Sequence, residues 1–77
     1  MKVKIEDFKT LLSDVLDNEI IDLKHESQPE DIDGWDSLNQ VFLIVRLEKE
    51  YNIKFNTSSI QNWKCVGDII EDINNLI

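Results

Sequence analysis

The sequence predicts an all-α protein: a four-helix bundle with three longer helices, one short third helix, and a long loop between the first two. Three observations predict it. Apolar residues recur at helical spacing in three separate segments. No segment alternates apolar and polar residues with the period of two that a half-buried strand needs. Only two glycines and one proline interrupt 77 residues. A chain of this length buries about 60–65% of the surface it exposes when unfolded, enough for one small core. One domain spanning residues 1–77 is expected.

In residues 3–17 the apolar positions are Val3, Ile5, Phe8, Leu11, Leu12, Val15 and Leu16. From Ile5 onward they recur at steps of three or one, the stripe of an amphipathic helix. Residues 18–36 lose that period. They contain the proline, one of the glycines, and the apolar anchors Ile20, Ile21, Leu23, Ile32 and Trp35. A loop this long is unusual inside a compact domain and is more often functional than idle. Residues 37–51 form the longest helix, with Leu38, Val41, Ile44, Val45, Leu47 and Tyr51 expected to face inward. Residues 41–45 are apolar on every side, so part of the outer face is apolar too, and Phe42 is expected there. Asn52 supplies a left-handed stop. Residues 57–62 allow one or two turns of helix opened by Asn56 or Thr57. Residues 66–77 resume the stripe at Val66, Ile69, Ile70, Ile73, Leu76 and Ile77.

Charge narrows the function. Sixteen acids face eight bases, a formal net charge of −8. That surface repels nucleic-acid phosphates and anionic membranes and attracts basic protein surfaces. The longest unbroken apolar run, residues 41–45, is far too short to span a bilayer. The first ten residues lack the apolar stretch of a signal peptide. A cytoplasmic, monomeric protein with a free thiol is expected.

Four groups of residues carry possible chemistry. Asp31, Asp33 and Asp36 surround Gly34, but the spacing misses a calcium loop: counted from Asp31, position 5 is Trp35 and position 12 is Phe42. No metal site is expected. Ser37, His25 and an aspartate supply the residue types of a hydrolytic triad. So short a chain leaves little material for an oxyanion hole and a walled pocket, and no catalytic residue is expected. Cys65 stands where a helix cap belongs; the helix N-terminus can stabilise a thiolate, or the residue simply fills the slot. Ser37 opens the longest helix. Ser37 and Gln40 fit a capping box. The same position also suits a phosphodiester on the Ser37 hydroxyl, within the field of the helix N-terminus, with Asp36 taking over as cap.

Asp36-Ser37-Leu38 at the mouth of a long helix resembles the acyl carrier protein family. The likeness extends along the chain. A long first helix and an acidic loop precede Asp36-Ser37-Leu38, Ile53-Lys54-Phe55 leads into the short helix, and Val66-Gly67-Asp68 opens the last.

The resemblance implies a carrier and not an enzyme. It implies 4′-phosphopantetheine, drawn from coenzyme A and attached to Ser37 by a phosphopantetheinyl transferase. The arm would hold acyl, aminoacyl or polyketide intermediates as thioesters. Further partners would be the activating enzymes that load the arm and the downstream transferases or synthases that unload it. Asp36, Leu38, Asn39 and Phe42 would form the face these partners meet. Asn39 and Phe42 stand where the fatty-acid type has acids, and Trp35 precedes the motif. This variant resembles free-standing carriers of dedicated pathways. Trp63 stands where the family has isoleucine, facing the space that shelters an acyl chain, and is expected to limit the cargo to short or polar groups. The alternative is an acidic helical adaptor that docks basic partner proteins without a covalent group.

Overall fold

The computed structural model describes residues 2–77. Four helices follow one another: α1, Ile5–Leu16; α2, Ser37–Tyr51; α3, Thr57–Asn62; and α4, Val66–Leu76. The described residues contain no strand. None of their helices is long and apolar enough to cross a membrane.

Each helix ends for a local reason. Asp17 and Asn52 adopt left-handed conformations, φ 52° and 54°, and stop α1 and α2. Both belong to the residue types that tolerate this region best after glycine. The Asn52 stop is the expected one. Asn56 caps α3, its side chain accepting the Ser59 N–H at 2.8 Å.

The core is almost wholly aliphatic and aromatic. Phe8, Leu12, Leu43, Leu47, Val66, Ile69 and Ile73 are fully buried. Ile20, Leu23 and Trp35 reach the same core from the long loop. Among the described residues no polar or charged side chain is buried.

The loop between α1 and α2 is ordered by bonds to another helix. A helix leaves its first N–H groups without partners. At α4 the Val66 N–H donates to the Ser27 carbonyl (2.9 Å) and the Gly67 N–H to the His25 carbonyl (2.7 Å). Gly67 suits this approach, because a Cβ there would lie 3.1 Å from the His25 oxygen and one of the two would have to give by a few tenths of an ångström. Further on, a 3₁₀ turn at Pro29–Asp31 is closed by the Asp31 carboxylate, which accepts the Gln28 N–H at 3.0 Å.

Six expected anchors differ. On α2 the inward face is Leu43 and Leu47, with Gln40, Ile44 and Tyr51 at its margin. Leu38, Val41 and Val45 face out. The run from 41 to 45 offers two apolar stripes, and periodicity alone cannot choose between them. Polar tethers hold the observed rotation: Arg46 reaches Asp14 on α1 (2.6 Å), Glu48 accepts the Phe55 N–H (2.9 Å), and Gln40 accepts the Trp35 indole N–H (2.6 Å). Ile21 is 80% exposed, because Ile20 takes the inward place beside it. Leu76 and Ile77 are half exposed, where the last turn runs past the core.

The rotation of α2 predicts unequal costs for two similar truncations. Leu43→Ala should destabilise the fold by about 2–5 kcal/mol. Val45→Ala should change it by about 0.5 kcal/mol or less. Urea unfolding of the two variants checks this; equal costs would restore the expected inward stripe.

Candidate functional site

The residues before α2 form a tight, heavily bonded turn. Gly34 has φ +89°, a region closed to most side chains. Trp35 is buried, its ring 6.5 Å from that of Phe8 and tilted by 41°. Asp36 is extended and acts as the N-cap, its Oδ1 accepting the Asn39 N–H at 2.8 Å. The Asp36 carbonyl accepts the Gln40 N–H, also at 2.8 Å.

Asp36 therefore takes the place that a capping box would have given to Ser37. Gln40, the far member of that box, instead holds the Trp35 indole. Ser37 becomes the first helical residue and is exposed. Its hydroxyl enters no hydrogen bond among the described residues. The N–H groups of Ser37 and Leu38 precede any carbonyl that the helix could offer them. A phosphate esterified to the Ser37 oxygen would meet these donors and the positive end of the helix. The site thus fits a phosphodiester.

Ser37 lies on an open surface. A cleft of about 1130 Å³ is lined instead by residues of α1, the end of α2 and the C-terminus, among them Asp7, Asp14, Arg46, Glu50 and Tyr51. The Tyr51 phenol is pushed up from its ordinary pKa by burial, then by the nearby charges of Asp7 and Glu50. A second cleft lies beside Trp63 and Asp72. Neither lining includes Ser37. The serine is exposed and stands outside both clefts.

Beyond Ser37, α2 presents Leu38, Val41, Phe42 and Val45, which are 64%, 55%, 52% and 58% exposed. They are spaced i, i+3, i+4 and i+7 and so form one stripe. Phe42 is exposed, as expected.

An acyl carrier protein of Phytoplasma australiense is 37% identical over 68 residues, 86% of this chain and 87% of that protein. The chain belongs to the acyl carrier protein family. No family model matches it. A holo acyl carrier protein of Geobacter metallireducens, solved by solution NMR, shares the fold with a TM-score of 0.87 at 36% identity, covering 94% of this chain and 83% of that one. Members of the family are carriers and not enzymes, and this chain is a carrier protein.

The remaining residues of interest in the carrier take structural places. His25 is bonded through its carbonyl to the start of α4, away from the turn around Ser37. The Asp31 and Asp36 carboxylates fold back onto N–H groups of their own turns. Among the described residues, no cluster of three or more His, Cys, Asp or Glu is arranged to hold a metal. Cys65 is the N-cap of α4 without a side-chain capping bond, while the Asp68 carboxylate accepts the Lys64 N–H at 2.9 Å. Trp63 is half-buried. Its indole N–H donates to Asp72 at 2.7 Å, and its ring meets Phe55 edge-on with centroids 4.9 Å apart.

Sequence reasoning missed the side-chain bonds around Ser37. Asn39 Nδ2 donates to the Gly34 carbonyl at 2.6 Å, beside the bond from Trp35 to Gln40. The available signal was two adjacent amide residues, one turn after a glycine and an indole.

Proposed function

We propose that Ser37 carries 4′-phosphopantetheine and that the arm's thiol holds acyl, aminoacyl or polyketide intermediates as thioesters for a dedicated biosynthetic pathway. The supporting observation is the free, exposed Ser37 hydroxyl at the first position of α2, with Asp36 capping in its stead, in a member of a carrier family. In loading, the Ser37 oxygen bonds to the phosphorus of the pantetheine side of coenzyme A. The pyrophosphate P–O bond breaks, adenosine 3′,5′-bisphosphate leaves, and the serine proton passes to a base of the transferase. The carrier's contribution is effective concentration: a tethered intermediate meets each enzyme as though present at about millimolar levels.

Intact mass spectrometry after incubation with coenzyme A and a broad phosphopantetheinyl transferase tests attachment. One phosphopantetheinyl group should be gained, and none by Ser37→Ala. An arm mapped to Ser13, Ser27, Ser58 or Ser59 would sink the assignment. No gain of mass at all would leave the acidic adaptor as the better reading.

The partner enzymes are the transferase, the activating enzymes, and the downstream transferases or synthases. Asp36, Leu38, Asn39 and Phe42 form the face they meet, with the apolar stripe of α2 as anchor and Asp36 at its rim. Asp36→Asn keeps an acceptor for the cap and removes the charge. It should slow loading and flatten its salt dependence while leaving helicity intact. Phe42→Glu should weaken the carrier's use by its own downstream enzyme about tenfold or more with little change in melting temperature. A large fall in melting temperature would instead make Phe42 a structural residue.

Trp63 keeps the cargo short or polar. The indole is held between Phe55 and Asp72, and a packed core does not readily admit both this ring and a long chain. Long saturated acyl groups on Ser37 should barely raise thermal stability, and Trp63→Ile should restore a gain that grows with chain length. A steady gain in the wild-type carrier would overturn the limit.

A further inference from the structure

Two successive residues of α2 reach back over the serine. Asn39 grips Gly34, and Gln40 grips Trp35, each through a side-chain hydrogen bond of 2.6 Å. Ser37 and Leu38 sit between the gripping residues and the turn. Trp35 is also held by burial, but Gly34 is not: a Cβ built there would meet nothing within 4 Å. The Gly34 carbonyl already accepts the Asp36 N–H at a longer 3.2 Å. The Asn39 amide is therefore the side chain that fixes this peptide, in the one residue of the turn with a positive φ.

We propose that Asn39 is a positioning residue for loading: its carboxamide holds the turn from Gly34 to Asp36 so that the Ser37 hydroxyl is presented in a single geometry. This rests on the reading that Ser37 carries the arm. The bond requires a donor. Aspartate has none at neutral pH, and its carboxylate would face the Gly34 oxygen, like charge against like. Asparagine here acts on the carrier's own backbone, which gives it a task separate from contact with a partner.

The two tasks predict opposite signs for one substitution. If position 39 matters only as a missing acidic contact, Asn39→Asp improves recognition by a basic transferase surface, most at low salt. If Asn39 positions the turn, Asn39→Asp loosens it. A transferase that needs the ordered turn then sees only a fraction of competent carrier, and the apparent affinity falls by that fraction.

The experiment compares wild type, Asn39→Asp and Asn39→Ala in steady-state loading with coenzyme A at two salt concentrations, beside amide hydrogen exchange at Trp35 and Asp36. Alanine is a better helix former, so the helix itself is not at stake. Both variants should raise KM for the carrier about three- to tenfold, the factor associated with one net hydrogen bond, with kcat changed less than about twofold. Both should speed exchange at Trp35 and Asp36. A lower KM for Asn39→Asp, or unchanged KM and exchange in both variants, overturns the positioning role alone. If the wild-type protein accepts no arm, the attachment reading and this proposal fall together.

Discussion

The structure depends on how a long loop is made to stand still. The chain from the end of α1 to the start of α2 forms no α-helix, and fixing each backbone residue costs about 1–2 kcal/mol of conformational entropy. Apolar anchors at Ile20, Leu23 and Trp35 offset part of that cost by burial. The backbone of residues 25–27 is held differently, by the N–H groups that α4 cannot satisfy within itself. One contact thus meets two needs, since the loop gains partners and α4 gains a cap that Cys65 does not provide. Without it residues 25–27 would lose their bonds to α4, and the loop would rest on its apolar anchors and its local side-chain bonds.

Charge and apolar surface are separated along this carrier. Residues 17–36 hold eight acids against Lys24, a net of −7 out of a total of −8. By contrast α2 is neutral, with Arg46 and Lys49 balancing Glu48 and Glu50. Three of those four charges are engaged within the molecule, Arg46 with Asp14 and, at 4.0 Å, with Glu50, and Glu48 with the Phe55 N–H. The exposed Arg46 pair is worth little as stability, under about 1 kcal/mol. It ties α2 to α1, and an uncharged stripe lies beside the serine while the loop carries most of the net charge.

Much of this was legible in the sequence, and the failures have physical causes. The stripes of α1 and α4 are one-sided, so their periods identified the buried residues, apart from the terminal Leu76 and Ile77. Asn52 announced its left-handed stop through residue type. The face of α2 was misread because Leu38, Val41 and Val45 repeat with the same period as Leu43 and Leu47. The decision between those stripes lies in side-chain tethers to Trp35, Asp14 and Phe55, which apolar periodicity does not register and of which the one to Asp14 spans 32 residues. At the candidate site, Ser37 was visible through its neighbours and the resemblance they carry. The amide grips of Asn39 and Gln40 were not, because they depend on how the turn at Gly34 folds back.

The carrier's two glycines suit their places for opposite reasons. At Gly67 the constraint is room, since the His25 oxygen crowds the place a methyl group would take. Gly34 has room and needs handedness: its φ of +89° suits the mirror image of an ordinary residue. At Gly34, then, chirality and not volume is the barrier to replacement. A D-residue introduced by chemical synthesis adopts such a φ readily, whereas L-alanine would be strained. The segment leading to the serine is in this sense a mirror-tolerant joint, and a D-residue would narrow the freedom of the unfolded chain.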